Sequence, residues 1–182
     1  IQPGPGVKEG DLDDVPPTGQ RIGRNRYFAH IQEHKQWKQG IQAYLACIYF
    51  ADAMLGRVLD ALEQSPHRDN TIVVLWSDHG WHLGEKEHWQ KFTGWRIGTR
   101  VPLMIRVPKG APGLSAGTAA GGVCDRPVSL VDLFGTLTDL CGLPPKADIA
   151  SRSLALLLRD PQAEWPYAAL THLDNPANYA IS

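Results

Sequence analysis

Residues 71–108 read TIVVLWSDHGWHLGEKEHWQKFTGWRIGTRVPLMIRVP. The segment begins with a run of apolar, mostly β-branched residues, 71–76, which is typical of a strand buried on both faces. A polar turn at Asp78 and His79 ends this run, and a second apolar run, 101–107, predicts another strand. Because open α/β sheets bind ligands at the carboxyl ends of their strands, Asp78 and His79 are candidate site residues.

The composition is that of an ordinary globular protein, with 182 residues, 43% hydrophobic and 20% charged, and a net charge of −1. The near-zero charge, without runs of like charge, argues against a nucleic-acid partner. No apolar stretch approaches the roughly 18 residues of a membrane span. Residues 1–10 lack a signal-peptide pattern and an initiator Met, so we expect a piece of a longer protein or a processed product. Cys47 and Cys141 lie in apolar helical patterns, which predicts buried thiols.

Helices are predicted on both sides of the opening segment. Apolar residues at three- and four-residue steps predict a long helix over 33–64. Asp52 falls within that apolar stripe, so we expect its carboxylate to be paired or hydrogen-bonded. A later helix is predicted to begin at the N-cap Ser129, with Asp132 in a capping box, and to end at a left-handed Gly142.

The remaining segments are less regular. Residues 1–26 are rich in Gly, Pro and Asp and predict an irregular surface segment. Residues 109–127 predict a loop with little core content, followed later by a short apolar turn at 153–158 and a strand at 168–171. The order of helix, strand, polar loop, strand and helix indicates an α/β layer. Because two or three strands make a thin sheet, we expect further strands outside this chain.

The polar residues after the first predicted strand have the chemistry of a metal and anion site. The carboxylate of Asp78 and the imidazole of His79 suit several divalent ions. The alternative is that Asp78 caps the turn and His79 is exposed. Lys91 adds a positive charge that would stabilise an oxyanion near a metal, and its alternative is a solvated surface lysine. The residues alone leave these alternatives open.

The run SDHGWHLGEKEHWQK, followed by GTRVPLMIRVP, resembles the type I sulfatases of the branch that includes iduronate sulfatase and choline sulfatase. The resemblance extends to the helical stretches on both sides and covers about residues 11–180. It implies an α/β fold that is part of an alkaline-phosphatase-like α/β/α sandwich with a mixed sheet. Residues 1–182 would then form one incomplete domain, with 1–26 as its irregular start and 27–182 as the later part of the fold.

The resemblance implies hydrolysis of a sulfate ester by a formylglycine nucleophile on a calcium ion, Ca2+. Asp78 and His79 match the later pair of calcium ligands of the family. Lys91 matches the catalytic lysine that binds the substrate sulfate and helps the leaving group, and His88 beside it is expected to line the substrate pocket. The expected partner is a sulfated small molecule or carbohydrate. The family also favours a periplasmic or secreted location.

The family's nucleophile motif, Cys-x-Pro-x-Arg or Ser-x-Pro-x-Arg, does not occur in these 182 residues. The early pair of calcium ligands and the central catalytic histidine are not matched either. We therefore expect a later part of a sulfatase that is inactive alone, with the missing N-terminal half as a partner. Two alternatives stay open: a phosphatase or phosphodiesterase of the same superfamily, and a non-catalytic remnant or binding module.

Overall fold

The computed structural model describes residues 7–173 and 178–181 of the chain. Within these residues the helices are α1 (Pro17–Gly23), α2 (Arg26–Glu33), α3 (Trp37–Glu63), α4 (Arg96–Thr99), α5 (Asp132–Leu140) and α6 (Ala155–Arg159). The strands are β1 (Val73–Trp76), β2 (His82–Leu83), β3 (Trp89–Gln90), β4 (Leu103–Arg106), β5 (Leu170–Leu173) and β6 (Asn178–Ile181). Residues 1–6 of the predicted irregular segment and residues 174–177 of the family resemblance lie outside the described part.

The chain divides into two compact units. One consists of Ile1–Ala61 and His79–Val101, and the other of Leu62–Asp78 and Pro102–Ser182. The first unit holds α1, α2, most of α3, β2, β3 and α4, and the second holds the remaining helices and strands. The presence of helices and strands in both confirms the α/β class.

In the second unit, the two strands predicted from the apolar runs are confirmed. β1 pairs antiparallel with β4, with Val73 opposite Arg106 and Trp76 opposite Leu103. The expectation that the first strand is buried on both faces is wrong for the described structure, because the strand is half-buried and 48% of Trp76 is exposed. The other described strands also form two-stranded antiparallel pairs, β2 with β3 and β5 with β6.

The hydrophobic core of the second unit lies where the loop after β4 meets α5 and α6. Its buried members are Val107, Ala111, Leu114, Leu140 and Ala155. The prediction that loop 109–127 has little core content is therefore wrong for Ala111 and Leu114. The backbone N–H of Val107 donates to the hydroxyl of Thr118 at 3.0 Å, which folds the loop back onto the strand end.

Helix α5 begins two residues later than predicted and ends where predicted. Its N-cap is Val131 and its first helical residue is Asp132, whereas Ser129 was expected as the N-cap. The buried carboxylate of Asp132 accepts a hydrogen bond from the backbone N–H of Arg152 at 2.8 Å, so it anchors the segment before α6. At the other end Gly142 has a φ of 64°, and its N–H donates to a carbonyl of the last turn at 2.9 Å. This confirms the left-handed C-cap.

The helical part of the first unit differs from the prediction at its start. Helix α1 lies within residues 1–26, where irregular structure was expected, and α2 lies almost entirely ahead of the long helix predicted from residue 33. Asn25 caps α2, because its side-chain oxygen accepts from the backbone N–H of Phe28 at 2.9 Å. Lys35 adopts a φ of 52° and separates α2 from α3, so the predicted single helix over 33–64 begins only at Trp37.

Helix α3 has no buried residue in the described structure. Ile48 and Phe50 are 50% and 65% exposed. Asp52 is exposed as well, so its predicted place on a buried face is wrong. Cys47 and Cys141 are also exposed, which corrects the prediction of buried thiols. Among the described residues, no helix combines the length and the apolar character needed to cross a bilayer.

Candidate active-site loop

The four residues singled out from the sequence occupy different environments. Asp78 is exposed and lies two residues after the end of β1, whereas His79 is half-buried. His88 is buried, with 5% of its surface exposed. Lys91 is half-buried, and its ammonium lies 5.1 Å from the centre of the Phe92 ring. The structure brings His88 and Lys91 together through a ring-to-backbone contact, described below.

Lys91 lies in a loop with an unusual backbone, residues 84–93, which we call the lysine loop. Several of its non-glycine residues have positive φ angles, a conformation that costs energy for residues with a side chain. They are Lys86 (55°), Glu87 (50°), Gln90 (111°) and Phe92 (73°). Because Gln90 and Phe92 flank Lys91, the lysine is held in a locally strained stretch.

A fully buried histidine, His82, spans the two ends of the lysine loop. Its Nδ1 lies 2.9 Å from the carbonyl oxygen of Glu85, and its Nε2 lies 2.6 Å from the hydroxyl of Thr93. The carbonyl can only accept, so Nδ1–H donates to it, and in the neutral ring Nε2 accepts from the hydroxyl. Burial lowers the pKa of His82; the hydrogen bond to the Glu85 carbonyl opposes this, and a smaller electrostatic effect of His88 adds to the lowering.

His88 is the second buried ring of this interior, and its centre lies 5.0 Å from that of His82. Its Nδ1 is 2.7 Å from the carbonyl oxygen of Gly23, at the end of α1. Its Nε2 is 2.8 Å from the carbonyl oxygen of Lys91. One imidazole ring therefore contacts both the N-terminal helices and the backbone of the predicted catalytic lysine.

The cap residue of α2 holds the same part of the loop. The amide nitrogen of Asn25 donates to the carbonyl of Trp89 at 2.6 Å, and it lies 3.1 Å from Nε2 of His88. Because the side-chain oxygen of Asn25 already accepts from the start of α2, the orientation of its amide is determined. Asn25 thus couples the beginning of a helix to strand β3 beside Lys91.

The other lysine of the loop, Lys86, is bound to the N-terminal segment. Its ammonium donates to the backbone carbonyl of Asp11 at 2.7 Å and lies 3.2 Å from the Asp11 carboxylate, while its backbone N–H donates to that carboxylate at 2.8 Å. Burial raises the pKa of Asp11, but these contacts outweigh it and lower the pKa below its ordinary value. Burial lowers the pKa of Lys86, but the hydrogen bond to Asp11 and the attraction of its carboxylate outweigh burial and raise the pKa above its ordinary value. This pair is structural.

Aromatic residues complete the packing around the loop. The indole N–H of Trp37 donates to the carbonyl of Leu83 at 2.6 Å. Trp89 packs so closely on α3 that a Cβ added at Gly40 would lie 2.8 Å from its ring. Gly40 is therefore a position where the missing side chain lets the helix approach the loop.

The hydrogen bond of the His79 ring has an arrangement that is common among metal-binding histidines. Nδ1 of His79 lies 2.9 Å from the carbonyl oxygen of Gly80, so Nδ1 carries the proton and the lone pair of the neutral ring is on Nε2. Histidines that bind metals commonly donate their other ring N–H to a carbonyl in this way. Within residues 7–173 and 178–181, no group of three or more His, Cys, Asp or Glu side chains is arranged to hold a metal.

The sequence did not point to the residues that support the loop. The sequence predicts no role for His82, Thr93 and Asn25, nor for the pair of Asp11 with Lys86. The partners of Asn25 and Asp11 lie more than 60 residues away along the chain, at separations of 64 and 75 positions. The only local signal was Asn25 before an apolar helical start, which is the pattern of an N-cap.

Comparison with known proteins identifies the family that this chain resembles. Residues 14–143 match the family model described as Sulfatase. A sulfatase of Formosa agariphila is 38% identical over 181 residues, which cover 97% of this chain and 34% of that protein. Iduronate 2-sulfatase of Mus musculus is 39% identical over 129 residues, 60% of this chain and 23% of that protein.

Solved structures agree with the fold expected from the motifs. The structure of BT4656 in complex with its substrate D-glucosamine-2-N,6-O-disulfate superposes with a TM-score of 0.63 at 32% identity, over 80% of this chain and 29% of that one. This confirms the predicted resemblance and the alkaline-phosphatase-like α/β fold. The chain spans about a third or less of the length of the relatives it matches.

Proposed function

Because the chain belongs to the sulfatase family, we propose that the complete gene product containing these 182 residues hydrolyses the sulfate ester of a sulfated carbohydrate. The observation that carries the proposal is the family match over residues 14–143, which includes Lys91 and the loop built around it. That loop has the construction of a functional segment, because its strained backbone is held by buried hydrogen bonds from several elements.

Lys91 is proposed to bind the sulfate group and to assist the leaving oxygen. In the reaction a sulfur–oxygen bond breaks and negative charge grows on the oxygen that leaves with the alcohol. An ammonium group already held in place stabilises that charge without having to reorganise. Its position next to Phe92, with the ring 5.1 Å away, limits the directions in which the side chain can point.

Asp78 and His79 are proposed to be two of the ligands of a calcium ion. The carboxylate of Asp78 is the kind of oxygen donor that calcium prefers, and the proton on Nδ1 of His79 leaves the lone pair on Nε2. Calcium, when bound, would draw off negative charge from the sulfate oxygens. Because calcium takes about six to eight ligands, we infer that residues outside this chain contribute further ligands. A formylglycine nucleophile is expected there as well, because these 182 residues lack the Cys- or Ser-x-Pro-x-Arg motif.

The substrate class is proposed from the solved relative. BT4656 is bound to a disulfated glucosamine, which is its substrate. A sulfated amino sugar is therefore the first compound to test. The family also makes a periplasmic or secreted location the expectation for the complete protein.

The test measures sulfate release from glucosamine 6-sulfate by the complete gene product, with glucosamine 6-phosphate as the matched ester. We expect calcium-dependent release of sulfate and little release of phosphate. Replacing Lys91 with Met should lower kcat/KM by about a hundredfold or more, because an interaction with developing charge is lost. The exposed Lys38 of α3 provides the control, and Lys38→Met should behave as the unmodified protein.

Two results would contradict the proposal. A strong preference for the phosphate ester would indicate a phosphatase or phosphodiesterase of the same superfamily. The absence of any hydrolysis by the complete product, across sulfated sugars and with calcium present, would indicate a non-catalytic protein.

A further inference from the structure

We propose that His88 is a positioning residue, which holds Lys91 in place through the backbone carbonyl of Lys91 and does not need to contact the substrate. This inference rests on the proposed function, since it assigns the lysine's orientation to a neighbouring buried ring. It concerns the orientation of Lys91, and it assigns the control of that orientation to the buried His88.

The contacts of the ring support this role. Nε2 of His88 lies 2.8 Å from the Lys91 carbonyl oxygen, and Nδ1 lies 2.7 Å from the Gly23 carbonyl oxygen. Both oxygens can only accept, so the bond to the Lys91 carbonyl is the one that an N–H on Nε2 makes. The amide NH2 group of Asn25 has two hydrogens: one is donated to the Trp89 carbonyl at 2.6 Å, and the nitrogen also lies 3.1 Å from Nε2.

The strain of the loop explains why such a bond is needed. The carbonyl that His88 contacts belongs to the peptide unit between Lys91 and Phe92. Residues on both sides of Lys91 have positive φ, 111° at Gln90 and 73° at Phe92. A backbone in such a conformation persists only where its surroundings determine it, and without the bond the peptide is free to relax. Relaxation would move the ammonium of Lys91.

The test separates the two ring nitrogens with two amide side chains in the complete gene product. The amide of Asn reaches about as far as Nδ1, so His88→Asn keeps a donor for Gly23 and loses the one for Lys91. The longer Gln places its amide near the position of Nε2. We expect His88→Asn to lower kcat by about ten- to a hundredfold, with a much smaller change in KM, because a misplaced catalytic group costs that much. His88→Gln should retain most of kcat.

A second measurement does not depend on activity. Hydrogen–deuterium exchange of peptides covering residues 84–93 should be faster in His88→Asn than in the unmodified protein, and nearly unchanged in His88→Gln. The exposed His67 gives a control, since His67→Asn should alter neither exchange nor kcat. If the unmodified protein hydrolyses no sulfate ester, the proposed function fails, and the exchange data alone decide the role of His88.

The proposal is wrong if exchange in His88→Asn equals that of the unmodified protein, or if both variants lose kcat to the same extent. Equal loss would mean that the ring only fills space. Should His88→Asn fail to fold, His88→Gln decides the question: retained kcat supports positioning through Nε2, and lost kcat indicates a packing role.

Discussion

His82 is completely buried, and its surroundings favour the neutral ring. Both of its nitrogens are hydrogen-bonded, to the Glu85 carbonyl and to the Thr93 hydroxyl. Satisfying both nitrogens matters because an unpaired buried polar group costs about 1–3 kcal/mol. A buried ring that accepts at one nitrogen loses that bond when it is protonated, so its proton affinity is linked to folding.

The lowered pKa of His82 makes stability depend on pH. Its unfolded-state pKa is near 6.5, and its folded-state pKa is lower. As the pH falls below about 6.5, the unfolded chain takes up a proton that the folded chain does not, so stability falls until the folded pKa is reached. The slope should be at most about 1.4 kcal/mol per pH unit. Urea unfolding of the 182-residue chain at pH 7.5, 6.5 and 5.5 measures it.

Replacing His82 with Asn should remove this pH dependence while lowering stability at pH 7.5. If the replacement leaves the slope between pH 7.5 and 5.5 unchanged, another group is responsible. Asp11 cannot be that group. Its lowered pKa contributes stability at pH values above about 3.8, and this contribution is lost only as the pH falls through the folded-state pKa of Asp11.

At the scale of elements, the ends of helices set the geometry of the chain. Helix α5 stops at Gly142, where the φ of 64° and the nearby Pro112 both exclude a side chain: an added Cβ would lie 2.8 Å from Cβ of Pro112. In the middle of α3, Gly56 has no atom within 4 Å of an added Cβ. The same substitution therefore has opposite consequences at the two positions.

Gly142→Ala should destabilise the 182-residue chain by about 1 kcal/mol or more, because alanine is strained in the left-handed region and meets Pro112. Gly56→Ala should stabilise it by up to about 1 kcal/mol, because alanine has the higher helix propensity. Urea unfolding of both variants beside the unmodified chain measures the difference. Equal shifts of the two midpoints would show that neither the C-cap geometry nor the helix propensity governs these positions.

The elements that could be predicted from the sequence are those whose causes are local. The end of α5 depends on one glycine and its neighbours, and the two strands around residues 71–108 depend on apolar runs. The position of His88 depends on Gly23, 65 residues away, which no local pattern indicates. Helix α3 shows the same limit, since its apolar residues predicted a buried face, and the exposure of Ile48 and Asp52 is determined by what packs against the helix.

At the scale of the whole molecule, the chain supplies only some of the residues of the proposed active site. The sequence motif identifies Lys91, Asp78 and His79 by resemblance, and the structure adds the framework of His82, His88 and Asn25 that supports the lysine. Helix α3 carries large apolar side chains that are exposed, such as Tyr49 (79%) and Phe50 (65%). A folded chain usually leaves less apolar surface than this in water on one helix. We expect this face to be covered by other parts of the complete protein.

The 182-residue chain by itself should not hydrolyse sulfate esters. It lacks the Cys- or Ser-x-Pro-x-Arg motif, and residues that act as a unit give little activity when only some are present. The measurement is sulfate release by the purified chain with calcium added. Calcium-dependent turnover by this chain would overturn the expectation and would require a nucleophile among its own residues.

Removing calcium should abolish the activity of the complete gene product. Treatment with a chelator is expected to lower kcat by about a hundredfold or more, since a metal ion is often the largest charge in its site, and calcium should restore it. Asp78→Asn, which keeps the shape of the side chain and removes its charge, should raise the calcium concentration needed for half-maximal activity. An activity that survives exhaustive chelation would exclude calcium as the cofactor.

The bond between Lys86 and Asp11 also bears on the order in which the protein folds. The two residues are 75 positions apart, and the backbone N–H and the ammonium of Lys86 both bind Asp11. A contact between residues so far apart in sequence must first close a long loop, which costs chain entropy, so we expect it to form late. The lysine loop should accordingly mature after α3, as the last part of the first unit to become protected in pulse-labelling experiments. A newly made chain would thus acquire its helices before Lys91 is in place.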